Sequence, residues 1–135
     1  MIFHSNDWYP GPIEVLRGLW VSGTHWTLEI AGISRVYGDP TGQLYLDGVL
    51  LNQKYGYQEM FGYQLLDNKP FYFYKKDGRI HLSYAGQDLP LVYDQVPHYG
   101  CCSNGELNPR SGPNWLNFWG RRGTHWYYVQ IGRYE

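Results

Sequence analysis

The dipeptide Asp77-Gly78 lies between two runs of aromatic and β-branched residues, and it constrains the fold of this chain more than any other feature. Asp-Gly is the preferred pair for a two-residue hairpin turn, because both central positions of that turn need a positive φ. A turn at this point places Phe73 opposite Leu82 and fixes the register of both strands. The apolar face of the hairpin then contains Phe71, Phe73, Ile80, Leu82 and Tyr84. The opposite face is wetter and contains Tyr72, Tyr74, His81 and Ser83.

Other segments of the chain show the same alternation of side chains. Asp47-Gly48 predicts a second hairpin, in which Leu44 lies opposite Leu51. A third hairpin is expected to join residues 115–119 to residues 125–131. Three more strands are expected at Trp26–Ile30, Gly62–Leu66 and Leu89–Tyr93. Two very short helices are expected at Gly11–Gly18 and Tyr55–Phe61.

The composition agrees with a fold built from strands and tight turns. The 135 residues include 17 Gly and 8 Pro, and aromatic residues make up 19% of the chain. Aromatic side chains favour strands, whereas Gly and Pro favour the turns between them. We therefore predict an all-β protein, a small antiparallel sandwich or partly open barrel of roughly nine short strands, with residues 1–135 forming a single domain.

Charge and hydropathy argue against two classes of partner. Lys and Arg number 11 against 12 Asp and Glu, so the net charge of -1 does not favour nucleic acid. No apolar run reaches the roughly 20 residues of a membrane helix, so no spanning segment is expected. Residues 1–8 also lack the basic and apolar regions of a secretory signal.

Several segments carry a resemblance to known proteins, and they are Lys69–Tyr74, Asp77–Ile80, Ser83–Tyr84, Gly86, His98–Cys102 and Trp126–Val129. Together they resemble an uncharacterised bacterial family of β-rich proteins, over roughly residues 42–135, with residues 1–41 outside the resemblance. Members of that family are often predicted to be exported or lipid-anchored, and no activity is attached to them. The resemblance implies a bacterial domain at an extracytoplasmic or cell-surface location. It implies no catalytic residue.

The segment His98-Tyr99-Gly100-Cys101-Cys102 contains both cysteines and is the weak candidate for a metal- or thiol-dependent site. His98 and a thiolate could bind Zn²⁺ or copper, or act as a nucleophile with its base. The spacing matches no structural-zinc pattern, and adjacent side chains of an extended chain point apart. Two unlinked thiols, a vicinal disulfide and intermolecular bridges all remain open. We expect a turn with a buried thiol and no metal or other cofactor.

The sequence Gly-Thr-His-Trp occurs twice, at residues 23–26 and 123–126. Two copies do not make a repeat architecture, and Gln130 would be a poor core residue if the strands corresponded. We interpret both copies as a shared turn that enters a Trp-bearing strand. A joint metal site of His25 and His125 would require their strands to pair.

No pair of carboxylates stands out for acid–base catalysis. The aspartates lie in turn-like contexts, whereas Glu14, Glu29 and Glu59 are isolated in the sequence. Phosphate-loop, dinucleotide and nucleophile-elbow motifs are also missing. We predict no catalytic residue, and an enzyme is the less favoured class.

Aromatic surface is the remaining functional signal, because Trp and Tyr combine a flat apolar face with a polar edge. The candidate ligand-binding residues are Tyr72, Tyr74, His81, Trp115, Trp119 and Trp126. They predict a non-catalytic β-domain that binds carbohydrate or a protein partner through an aromatic face. The alternative is a structural subunit of a homomeric surface assembly, in which the same aromatic residues and exposed strand edges contact further copies.

Overall fold

Three antiparallel sheets form the structure, a computed structural model that describes residues 13–33, 40–100 and 107–132. The first sheet contains, in order, β1 (Ile13–Ser22), β2 (His25–Ile33), β3 (Pro40–Leu46) and β4 (Val49–Leu50). The central sheet contains β5 (Glu59–Leu66), β6 (Lys69–Lys76), β7 (Arg79–Tyr84) and β8 (Gln87–Tyr93). The C-terminal sheet contains β9 (Arg110–Ser111), β10 (Trp115–Arg122) and β11 (His125–Gly132), with β10 in the middle. Helix α1 (Leu51–Tyr55) follows β4. The predicted all-β class is confirmed.

The hairpin at Asp77-Gly78 has the predicted register. Phe73 pairs with Leu82, and the two turn residues have φ values of 52° and 77°. Positive φ at both central positions is the requirement of a type I′ turn. The same signature is present in three further turns, at Asp47-Gly48, Asp67-Asn68 and Ala85-Gly86. Short turns of this kind connect neighbouring strands directly and favour antiparallel sheets.

The central sheet is covered on both faces. Its first face packs against the C-terminal sheet in a cluster that includes Phe61, Phe71, Phe73, Leu82, Leu116 and Phe118. Its second face packs against β3 and α1 through Leu44, Leu51, Met60 and Tyr74. The expectation of a wetter face is therefore wrong at Tyr74 and Ser83, which are each only 4% exposed. Tyr72 and His81, on the same face, are half-buried.

Three local predictions in or near the first sheet are wrong. Residues 13–18 form part of β1 rather than a helix, and residues 11 and 12 lie outside the described residues. The second predicted helix, Tyr55–Phe61, is not present. Helix α1 ends at Tyr55, and β5 starts at Glu59. Leu51 belongs to α1 and does not pair with Leu44, although both are buried in the same cluster. With β1 and β9 added, the described residues contain eleven strands rather than nine.

The two Gly-Thr-His-Trp copies form matching turns in different sheets. Gly23 and Gly123 have φ values of 62° and 58°, and each begins a two-residue connection between paired strands. The interpretation as a shared turn is confirmed. Because β2 and β11 belong to different sheets, they are not neighbours and do not pair His25 with His125.

No helix within the described ranges has the length and apolar character needed to cross a membrane.

Candidate functional site

Two adjoining clefts share the side chains of Trp20 and Tyr63 as a common wall. The Trp20 and Tyr63 rings meet edge to face, with their centroids 4.9 Å apart. The Trp20 indole lies against Gly18, where any Cβ would collide with it. Gly18 and Tyr63 therefore hold the indole in place from two sides. We call the larger cleft the aromatic groove and the smaller one the polar cleft.

The aromatic groove has a volume of about 420 Å³ and a mainly apolar lining. Its rings and aliphatic side chains come from the first and central sheets and α1, and they are Trp20, Leu46, Leu51, Tyr55, Tyr63, Leu65, Pro70 and Tyr72. Ligand pockets typically measure about 300–1,000 Å³ and combine such a lining with a few polar groups. The groove therefore has the size and lining of a small-ligand site.

Polar side chains stand among the residues that line the aromatic groove. His25 Nδ1 lies 2.6 Å from Asp47 Oδ2, and the Trp26 backbone N–H donates to Asp47 Oδ1 at 2.9 Å. The hydrogen bond from His25, aided by that from Trp26, lowers the pKa of Asp47 below its ordinary value. Asn68 also lines the groove. The groove thus offers a carboxylate and an amide beside its aromatic rings.

The polar cleft, about 260 Å³ in volume, is bordered by two β-bulges. In the first sheet, Leu16 pairs with Ile30 and Gly18 pairs with Glu29, which leaves Arg17 as the extra residue. In the central sheet, the register between β5 and β6 shifts across Gly62 and Tyr63. A bulge redirects the side chain of the inserted residue and is frequent beside functional sites. Here Arg17 and Tyr63 both line the cleft.

Glu29 accepts hydrogen bonds from the two backbone N–H groups at the β5 bulge. Its carboxylate accepts the backbone N–H groups of Gly62 at 3.1 Å and Tyr63 at 2.7 Å. The Tyr99 hydroxyl donates to the same carboxylate at 2.5 Å. Burial raises the pKa of Glu29, and its hydrogen bonds oppose that rise. Burial and the neighbouring Glu29 charge raise the pKa of Tyr99, which stays a hydroxyl donor.

Glu59 forms a second buried connection between β3, β5 and the segment after β8. The Gly42 backbone N–H donates to Glu59 Oε2 at 2.8 Å, and His98 Nε2 lies 2.9 Å from the same oxygen. His98 Nδ1 lies 2.6 Å from the Val96 carbonyl oxygen, so Nδ1 carries a hydrogen. His98 thus connects the Val96 carbonyl group to the Glu59 carboxyl group through its two ring nitrogens. Both buried glutamates hold elements together and are already hydrogen-bonded.

Gln64 is the one described residue whose buried side-chain polar atom has no hydrogen-bond partner. The atom is Nε2, and Gln64 lines the polar cleft. The Arg17 guanidinium lies 4.7 Å from the centroid of the Tyr99 ring, with its charge over the aromatic face. No carboxylate pairs with Arg17 among residues 13–33, 40–100 and 107–132. Within the described residues, the side chains of Arg17 and Gln64 thus leave hydrogen-bond donors of the cleft without an acceptor.

The six candidate ligand-binding residues from the sequence are distributed over two surfaces. Tyr72 lines the aromatic groove, but Tyr74 is buried beside it and donates its hydroxyl hydrogen to Asp88 at 2.9 Å. Burial raises the pKa of Tyr74, as does its bond to the Asp88 carboxylate. The His81 ring stacks on Tyr74 with a centroid distance of 5.0 Å. Of the three, only Tyr72 is part of a described cleft.

The three candidate tryptophans lie in the C-terminal sheet. Trp119 and Tyr128 pair across β10 and β11, with their ring centroids 5.0 Å apart, and both line a small cleft of about 180 Å³. Trp126, on the same face, is 44% exposed. Trp115 is half-buried and lies against Gly112. These residues form a separate, shallower aromatic surface.

Of the three weak metal candidates, His98 alone lies within the described residues. His98 is bonded to Val96 and Glu59, whereas Cys101 and Cys102 lie outside the described residues. Within the described ranges, no group of three or more His, Cys, Asp and Glu side chains could hold a metal ion.

Arg17, Trp20, Glu29 and Tyr63 are site residues that sequence reasoning missed. Arg17 lay inside a predicted helix, and the partners of Glu29 are 33, 34 and 70 residues away along the chain. One local signal existed, because Gly62 is the first residue of a predicted strand and stands between Phe61 and Tyr63, and an isolated Gly in a strand often marks a bulge.

The chain matches no protein-family model, no curated protein and no solved structure. The candidate site is therefore interpreted from its own geometry.

Proposed function

We propose that this protein is a non-catalytic, extracytoplasmic β-domain that binds carbohydrate in the aromatic groove. The observation that carries the proposal is the lining of the groove, in which Trp20, Tyr55, Tyr63 and Tyr72 surround about 420 Å³. Aromatic rings offer flat apolar faces to the C–H faces of a sugar, while Tyr hydroxyls can hydrogen-bond its hydroxyl groups. Asp47 and Asn68 add an acceptor and an amide at the same site.

The buried carboxylates support binding rather than catalysis. Glu29 accepts three hydrogen bonds, and Glu59 accepts one from Gly42 and is hydrogen-bonded to His98. A general acid or base must reach the proton that it transfers in the substrate. Carboxylates that already connect two sheets are poorly placed for that role. The extracytoplasmic location depends on the family resemblance alone.

Titration of tryptophan fluorescence with a panel of neutral and acidic oligosaccharides tests the proposal. Tyr55 is 45% exposed and lines the groove, so Tyr55→Ala removes a sugar contact without opening the core. We expect this variant to bind about tenfold more weakly, equivalent to about 1.4 kcal/mol. Tyr128→Ala is the matched control, because Tyr128 is 52% exposed and belongs to the C-terminal sheet.

Two results would overturn the assignment to the groove. One is the absence of saturable binding by every oligosaccharide of the panel. The other is binding that Tyr128→Ala weakens and Tyr55→Ala leaves unchanged, since the ligand would then lie on the surface of Trp119 and Tyr128.

A structural subunit is the second candidate function, and the edge strand β1 favours it. Leu16, Leu19 and Val21 are 64%, 58% and 67% exposed on this strand. Among the described residues β1 pairs only with β2, so no described strand pairs with the other side of its backbone. Long apolar edges are sites of strand addition between chains. The edge strand β11 exposes Trp126, Tyr127 and Tyr128 in a similar way.

Analytical ultracentrifugation over a wide concentration range tests this second candidate. A homomeric subunit would associate with rising concentration, and a double substitution, Leu19→Lys with Val21→Lys, would keep it monomeric. The double substitution Lys75→Gln with Lys76→Gln, on β6, is a control for altered charge away from the edge. A wild-type protein that stays strictly monomeric would contradict the subunit role.

A further inference from the structure

The polar cleft lies directly beyond the Trp20–Tyr63 wall of the aromatic groove. We infer that it binds the carboxylate group of an acidic sugar unit whose glycan chain lies in the groove. The inference rests on the proposed carbohydrate function and specifies the substrate class of the same site.

The hydrogen-bonding groups of the cleft are unbalanced toward donors. Glu29, the carboxylate that lines it, already accepts three hydrogen bonds. Asn108 uses both ends of its amide on Gly100, donating to its carbonyl oxygen and accepting its backbone N–H. Gln64 Nε2 has no partner among the described residues. A ligand that supplies an acceptor to this side chain would be favoured, because a buried donor without a partner costs about 1–3 kcal/mol.

The positive charge of Arg17 favours a negatively charged acceptor over a neutral one. Its guanidinium contacts the Tyr99 ring and has no carboxylate partner in the described part of the chain. A planar guanidinium binds a carboxylate through two parallel N–H···O bonds, the strongest geometry for such a pair.

The other described charges around the cleft are compensated by groups other than Arg17. Glu29 is buried, and its negative charge is offset by two backbone N–H groups, the Tyr99 hydroxyl and the nearby His98. Glu59 and His98 are hydrogen-bonded to each other at 2.9 Å. Arg17 is exposed at the mouth of the cleft, so its pairing with a ligand will weaken as salt is added.

The backbone places Arg17 in this position. It is the extra residue of the β1 bulge, inserted between Leu16, which pairs with Ile30, and Gly18, which pairs with Glu29. In a regular strand, successive side chains point to opposite faces of the sheet. The bulge permits Arg17 to reach the Tyr99 ring on the cleft side.

Calorimetric titration with oligogalacturonate and with its carboxyl-reduced, neutral counterpart tests the inference. We expect the wild-type protein to bind the acidic oligomer about tenfold more tightly, and the preference to decrease with salt. Arg17→Gln should abolish the preference and leave affinity for the neutral oligomer unchanged. Lys76→Gln is the matched control, since it removes one positive charge from the exposed end of β6 and should keep the preference.

Gln64→Leu provides an independent readout. Because Gln64 Nε2 has no partner in the described residues, this substitution should not lower the thermal stability of the free protein. It should still weaken binding of the acidic oligomer about tenfold. A fall in stability with unchanged binding would overturn the assignment of Gln64 to the ligand.

The outcomes separate this inference from the proposed function. Equal affinity for both oligomers, reduced by Tyr55→Ala, would overturn the carboxylate site and leave carbohydrate binding in the groove intact. If the protein binds neither oligomer, the carboxylate site is overturned. Titration with the neutral oligosaccharides of the first panel then tests the proposed function separately. A preference for the acidic oligomer that survives Arg17→Gln would also overturn the inference.

Discussion

The carboxylate of Glu29 in the first sheet accepts the backbone N–H of Tyr63 in the central sheet at 2.7 Å. In a regular sheet, a carbonyl group of the neighbouring strand would accept this hydrogen bond. Here the Glu29 side chain accepts it instead. The bulge at Gly62 and Tyr63 would leave donors without partners, and Glu29 satisfies both of them. The two sheets are thus connected at the point where the two clefts meet.

Glu29→Ala should destabilise the protein by about 3 kcal/mol. The substitution leaves the N–H groups of Gly62 and Tyr63 and the Tyr99 hydroxyl without their acceptor, and each unsatisfied buried group costs about 1–3 kcal/mol. Denaturant unfolding measures the change. Gln130→Ala, at an exposed position of β11, is expected to stay within about 0.5 kcal/mol of the wild type. A similar loss in both variants would contradict a special role for Glu29.

The contribution of Glu29 to stability should decrease as the pH rises. Burial raises its pKa in the folded protein above the ordinary value of 4.5 that the unfolded chain shows. The folded state therefore holds the proton more tightly, and stability is lost as the pH rises from the unfolded pKa through the folded pKa. The free energy of unfolding of the wild type, minus that of the non-titrating variant Glu29→Gln, should fall across this interval. A difference that grows with pH would show that the pKa is lowered instead.

Gly62→Ala should cost at least about 1 kcal/mol more than Gly78→Ala. Both glycines have a positive φ, 66° and 77°, so each substitution strains the backbone. A Cβ at Gly62 would also lie 2.7 Å from the Phe73 ring, whereas a Cβ at Gly78 meets nothing within 4 Å. Overpacking of a core ring adds about 1–3 kcal/mol. Thermal unfolding of the two variants gives the comparison, and equal losses would argue against close packing at the bulge.

Asn52→Ala should destabilise the junction of α1 with β3. The Asn52 amide accepts the Leu44 backbone N–H at 3.0 Å and donates to the Gly42 carbonyl oxygen at 3.0 Å. Both contacts are buried, so their loss should cost about 2 kcal/mol in the free energy of unfolding. Gln53→Ala, at the exposed neighbouring position, is the control and should change stability little. Equal stability of the two variants would mean that water replaces the amide.

Local turn chemistry explains which parts of the fold could be predicted from the sequence. The register of Phe73 with Leu82 follows from the Asp77-Gly78 turn, because a type I′ turn determines all pairings on both sides of it. The strand β1 could not be recognised in the same way. Its bulge at Arg17 interrupts the alternation of side chains, so Val15, Leu16 and Leu19 have a spacing that resembles one helical turn.

The candidate site could be predicted only in part. Tyr72 was identified from strand alternation, which depends on residues close in sequence. The burial of Tyr74 depends on β3 and α1, whose position relative to β6 no local pattern encodes. Glu29 looked isolated because its partners belong to β5 and to the segment after β8. Pairings across such separations arise from the packing of whole sheets.

The Trp20 indole, together with the Tyr63 ring, forms the wall between the aromatic groove and the polar cleft. Any occupant that shifts this ring while entering one compartment reshapes the entrance of the other. Thermodynamic reciprocity then requires each occupant to alter the affinity for its neighbour by the same factor. If the two proposed sites both bind, their occupants are therefore coupled through the position of the Trp20 ring.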